Sequence, residues 1–185
     1  MNDTPYAQMR LNRAQQRYLG LYGQPVRHGL AAEDPLARVE CARSLLPFFH
    51  ARLEGGGSYQ FGALFGYRAG TSLKIEHALP AGYGPRPLFD LDASYLLGAS
   101  DAFQQCHPDI DWTGIWLMRP DSCLPHQREI EDVLEEARAT RLLAEELCLM
   151  WAGWEDGVLV CLPYVLSEPG GVAVPLGCNI GYMLE

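Results

Sequence analysis

Hydrophobic and polar positions alternate between helix-type and strand-type blocks along the chain. Residues 1–33 are polar apart from one apolar cluster, Tyr18, Leu19, Leu21 and Tyr22, which predicts an N-terminal arm that packs through that patch, on the core or on a partner. Asp34-Pro35 reads as an N-cap followed by a first-turn proline. Val39, Ala42, Leu46, Phe49 and Leu53 then recur at three- and four-residue steps, predicting an amphipathic helix that Pro47 bends and Gly55-Gly56-Gly57 ends. The run Tyr59 to Tyr67 has strand character, and Leu73 to Leu79 alternates as a strand with one wet face. A Pro/Gly loop leads into a helix over about 92–106, burying Tyr95, Leu96, Ala99, Phe103 and Cys106. Trp112 to Met118 predicts a strand, and a helix starts near His126 with Ile130, Val133, Leu134 and Ala137 on one face. Leu147 to Val165 predicts a hairpin turning at Glu155-Asp156-Gly157, and a last strand falls near Asn179 to Leu184. Interleaved strands and helices predict one mixed α/β (α+β) domain over residues 34–185, a mixed central sheet flanked by helices.

Composition narrows the function classes. At 185 residues the chain is long enough to bury a core without staples. A formal net charge of -9 argues against binding nucleic acid or an anionic membrane surface, because both attract clustered Lys and Arg. The longest apolar run, Val158 to Leu166, is too short to span a bilayer, and Met1-Asn2-Asp3-Thr4-Pro5 lacks the pattern of a signal peptide. These features point to a cytoplasmic location. There the six scattered cysteines read as reduced, mostly core residues.

The order of these elements carries one family resemblance. A helix precedes the strand Gly62-Ala63-Leu64-Phe65-Gly66-Tyr67, and an alternating strand ends in Ala78-Leu79-Pro80. A helix, the strand Gly114-Ile115-Trp116-Leu117-Met118-Arg119-Pro120 and a further helix follow. Over roughly residues 36–165 this resembles the JAB/MPN domain, whose catalytic members are zinc isopeptidases acting on ubiquitin-like conjugates. In those members a glutamate opens the first strand, a His-x-His-Pro ends the Gly-Trp strand, and a Ser-x-x-Asp follows. Two histidines and the aspartate hold zinc with one position open for water, which the glutamate deprotonates.

Carried over residue by residue, these marks are mostly replaced. The glutamate position falls at Tyr59, or at Gln60 one register along. Leu117 and Arg119 stand where the resemblance puts the histidines, and His126-Gln127-Arg128-Glu129 stands for Ser-x-x-Asp. Leucine cannot bind zinc and a guanidinium repels it, leaving Glu129 as a lone ligand type. The resemblance therefore implies a degenerate member without metal or cofactor, a pseudoenzyme that binds protein. Its partner would be a catalytic paralogue, a component of a ubiquitin-like pathway, or a second copy of itself. It also implies that Arg119 and Glu129 face each other as an ion pair at the vacated site.

Other constellations compete with that reading. Trp112, Trp116, Met118, Met150, Trp151 and Trp154 are dense enough that half of them, on alternating strands, would form an exposed interface; the alternative is that all are core. Cys123, His126 and Glu129, close in sequence at a loop entering a helix, would serve a hydrolase with a non-standard site. Cys106-His107 with Cys123 and His126 offers zinc ligand types, though adjacent Cys and His chelate poorly. A small-molecule binding module would instead place Trp116 and Trp151 around one apolar pocket.

Overall fold

A computed structural model describes residues 11–21, 35–144, 147–166 and 172–182. Tyr22, Asp34 and Leu184, used in the sequence reading, lie outside them. The helices are α1 (Arg13–Tyr18), α2 (Leu45–Glu54), α3 (Ala93–Cys106) and α4 (Gln127–Ala139). The strands are β1 (Arg38–Ala42), β2 (Gln60–Ala69), β3 (Ser72–Pro80), β4 (Asp111–Met118), β5 (Cys148–Glu155), β6 (Val158–Leu166), β7 (Ala173–Pro175) and β8 (Gly177–Tyr182). They form one mixed eight-stranded sheet in the order β7-β6-β5-β4-β2-β3-β1-β8. β1 runs parallel to both β3 and β8, β4 runs parallel to β5, and the remaining pairs are antiparallel.

Side chains alternate across the sheet and feed two cores. Phe61, Ala63 and Phe65 of β2, Ile115 and Leu117 of β4, and Leu149 and Trp151 of β5 enter one core with α1, α3 and α4. Leu64, Trp116, Met118, Met150 and Ala152 point the other way, into a core covered by α2 through Leu45, Phe49 and Leu53. β6 and β8, separated by five strands in the sheet order, approach each other across this second face. The sheet is therefore curled and nearly closed.

The sequence predicts most element positions, with one correction. Residues 38–42 form a strand rather than the start of a helix. The helical period of Val39, Ala42 and Leu46 is real, but pairing with β3 on one side and β8 on the other satisfies both rows of β1 backbone groups. The helix begins only at Leu45, which puts Pro47 in the first turn, where its missing N–H is not needed and bends nothing.

Three glycines of the central strands β2 and β4 are sterically required, the first being Gly62, where a Cβ would lie 1.9 Å from the Leu79 carbonyl oxygen. A Cβ on Gly66 would lie 1.8 Å from the Lys74 carbonyl oxygen at the β2–β3 bulge. Gly114 has φ +148°, and a Cβ there would lie 1.9 Å from the Cys148 carbonyl oxygen of β5.

The expected N-terminal arm is in part a docked helix. Asn12 caps α1 in a capping box with Gln15, its side chain donates to Gln104 of α3, and Ala14 is buried in the core. The docking face is not the predicted one: Tyr18, Leu19 and Leu21 are 51, 55 and 38 % exposed. In α3, Leu96 is buried, Tyr95, Ala99 and Phe103 are half-buried, and Cys106, the last residue of the helix, is exposed.

Candidate functional site

The end of β4 is where the sequence places its candidate chemistry. Leu117 and Arg119 are two residues apart on an extended chain and so share a face, the one turned toward α4. The β2–β4 register pairs Gln60 with Met118, which sets Tyr59, just before β2, beside Arg119. After β4 the chain makes a pinned loop. Ser122, at φ 58°, donates its hydroxyl to the Leu53 carbonyl at 2.6 Å, and its own carbonyl accepts from the Trp154 backbone N–H at 2.8 Å. That loop delivers α4 with Glu129 in its first turn, where the helix dipole favours a carboxylate.

Three of the degenerate positions thus meet. Arg119 Nε lies 3.4 Å from Glu129 Oε2, and both side chains are about four-fifths buried (20 and 22 % exposed). The Nε–H is not aimed at the carboxylate, so the attraction is Coulombic rather than a two-pronged fork. One terminal nitrogen donates to the Leu124 carbonyl at 3.1 Å, and the other lies 3.2 Å from Asp121 Oδ2. On the opposite side the Tyr59 hydroxyl donates to Glu129 Oε1 at 2.5 Å. This bond, then burial and the Glu129 charge, hold the tyrosine in its neutral form and raise its pKa, with Arg119 opposing.

The arrangement does not fit a zinc ion. Leu117 is fully buried in the core beneath the site, and Arg119 fills the position of the second ligand with a permanent cation. Glu129, the one remaining ligand type, has its two oxygens turned to Tyr59 and Arg119. His126 is exposed at the N-cap of α4 and makes no capping bond with its side chain.

The other candidates are dispersed. Cys123 and His126 are exposed, and no hydrogen bond joins either side chain to Glu129, so the proposed hydrolase trio is not assembled. Cys123 instead bridges through its backbone to Trp154 of β5, while Cys106 and His107 end α3, with His107 stacked on Tyr67 at 5.0 Å. Trp116 and Trp151 are fully buried on opposite faces of the sheet and cannot line one pocket.

The proposed aromatic interface also requires correction. Trp112, Trp116, Met118 and Trp151 are all buried, because helices cover one face of the sheet and α2 with the curled sheet edges covers the other. Trp116 donates its indole N–H to the Leu79 carbonyl at 2.8 Å and meets Phe48 and Phe49 edge-on. Trp154 alone is half-buried, with His50 against its ring at 4.8 Å.

No helix among the described residues is long and apolar enough to cross a membrane. No protein-family model matches the chain, and no curated protein matches it. Among solved structures it is similar to the solution structure of protein DSY2949 from Desulfitobacterium hafniense, a structural-genomics target. That likeness has a TM-score of 0.54 at 13 % identity, over 80 % of this chain and 95 % of the other. At that identity the likeness is one of fold.

Proposed function

We propose that the protein binds other proteins instead of cleaving them, as a scaffold subunit of JAB/MPN type whose metal position has been converted into an internal brace. The observation that carries this reading is the Arg119 guanidinium at the end of β4, engaged by Glu129, Asp121 and the Leu124 carbonyl. A group so placed excludes a second cation and leaves no position for an activated water. The Tyr18, Leu19 and Leu21 side chains, exposed where α1 ends, supply an apolar contact of the kind a protein partner covers. A catalytic paralogue or another component of a ubiquitin-like pathway is the partner class, with a second copy of this chain as the symmetric case. Acidic net charge keeps nucleic acid and anionic membranes out of that set.

The test pairs metal analysis with an activity assay. The full chain is incubated with zinc, passed through gel filtration, and mixed with a linear ubiquitin-like fusion. No retained zinc and no cleavage are expected. Stoichiometric zinc, lost together with hydrolysis in Glu129→Gln or His126→Ala, overturns the reading. Hydrolysis without zinc that disappears in Cys123→Ala overturns it equally.

A further inference from the structure

The curled sheet brings together cysteines that lie far apart in sequence. Cys41 of β1, Cys148 of β5 and Cys161 of β6 are buried in the core under α2, and Cys178 of β8 packs against the same core. Cys178 Sγ is 3.8 Å from Cys41 Sγ, and the Cys161 thiol lies close enough to act on it electrostatically. Cys178 is half-exposed, whereas both of its neighbours are buried. A reagent from solvent therefore meets Cys178 first, with two thiols within reach behind it.

The two neighbours differ in geometry. In the parallel β1–β8 ladder Val39 is opposite Cys178 and Cys41 is opposite Ile180. Cys41 and Cys178 are thus diagonal on adjacent strands, a separation of about 7–8 Å between Cα atoms and outside the span of an unstrained disulfide. Cys161 faces Cys178 across the seam where β6 and β8 approach each other without forming a ladder. The Leu176 N–H, one residue before β8, donates to the Pro163 carbonyl of β6 at 2.9 Å, which holds the two strands together beside this pair.

We propose that Cys178 is a hydroperoxide-reactive thiol and that Cys161 resolves it as a disulfide tying β8 to β6. The Cys178 thiolate attacks one peroxide oxygen; an S–O bond forms, the O–O bond breaks, and the departing oxygen takes a proton to leave as water or an alcohol. Cys161 sulfur then attacks the sulfenic sulfur; an S–S bond forms, the S–O bond breaks, and hydroxide leaves as water with the Cys161 proton. Two thiols lose two electrons and the peroxide gains them. The thiols of Cys161 and then Cys41 lower the Cys178 pKa well below the ordinary thiol value, against the opposing effect of burial. The same coupling and burial raise the pKa values of Cys41 and Cys161, and burial raises that of Cys148. Nucleophilicity is thereby concentrated on the one cysteine of the four that solvent reaches.

The experiment uses the full chain carrying Cys106→Ser and Cys123→Ser, which removes the two exposed thiols. Treated with a small excess of hydrogen peroxide, it is expected to lose two hydrogens in mass and to yield a linked Cys161–Cys178 peptide. Cys178→Ala should slow thiol loss by roughly tenfold or more. Cys161→Ala should leave a sulfenic acid at Cys178 that dimedone captures, while Cys41→Ala still forms the link. Peptide mapping of the chain with all four core thiols intact guards against a variant that fails to fold. Cys178 remaining a thiol under peroxide that oxidises Cys106 and Cys123 of the unsubstituted chain overturns the proposal, and a Cys41–Cys178 link overturns the choice of Cys161.

Discussion

The brace at the end of β4 and the thiol cluster at the β6–β8 seam are built on opposite principles. The brace gathers charges that neutralise one another: Arg119 meets Glu129 and Asp121, and Glu129 accepts a proton donor from Tyr59. Although the buried Arg119 Nε–H makes no hydrogen bond of its own, each of these side chains has a partner, which makes the region suited to holding β2, β4 and α4 together. The seam gathers like groups. Clustered thiols cannot neutralise one another, and the half-exposed one carries whatever reactivity the set has. Polar residues at a strand end are therefore no guide by themselves to where chemistry resides. What matters is whether their interactions are already spent.

The largest expected effect tests the wall common to both regions. Trp116 lies in the core that also receives Cys41, Cys148 and Cys161, three residues before Arg119. Trp116→Ala should lower unfolding free energy by about 3–5 kcal/mol in chemical denaturation and should loosen both regions together. A loss confined to one of them would mean that they are mechanically independent.

Arg119→Leu separates them. With both side chains mostly covered, removing the guanidinium leaves Glu129 partly buried beside a tyrosine, at a cost of about 1–3 kcal/mol. Thiol reactivity at Cys178 should not change, since Arg119 belongs to the opposite face. An unchanged melting temperature in this variant would show that the brace is ornamental.

The smallest effect concerns Tyr59, which is 42 % exposed. Tyr59→Phe should cost roughly 0.5 kcal/mol or less, because solvent screens the bond to Glu129. Its signature is in pH instead. The folded state raises the tyrosine pKa above its ordinary value near 10, so the contribution is fully present below that value and is lost as pH rises through the higher folded pKa. Thermal melts across alkaline pH should show a steeper fall for the wild-type protein than for Tyr59→Phe; parallel curves would dissociate the hydroxyl from Glu129.

Of the brace, the pairing of Arg119 with Glu129 is expected from the family resemblance, while the part played by Tyr59 is not. Arg119 ends a strand, Glu129 lies in the next helix, and Tyr59 opens the strand that pairs with the first. Period-two and period-four patterns locate the strand and the helix that carry these groups but do not say which side chains meet. The thiol cluster was not legible, since Cys41, Cys161 and Cys178 meet only through the strand order and the curl of the sheet. The sole local hint was parity: Val39 and Cys41 alternate with exposed or half-exposed Arg38 and Glu40 as one buried face. The helical spacing of the same stretch obscured it. The tryptophans were misjudged for a related reason. Strand alternation assigns them to two faces, but it does not say that both faces are covered.

The position of β1 between β3 and β8 has a consequence for how the chain acquires its shape. Its partner on one side begins at Ser72 and on the other at Gly177, so one flank of the strand stays unsatisfied until synthesis has passed Gly177. Such distant pairing is associated with slow folding and with a period of vulnerability to aggregation. Removing Gly177 to Tyr182 would leave a newly bared edge along Arg38 to Ala42, and the shortened protein would be apt to recruit a strand from a neighbour.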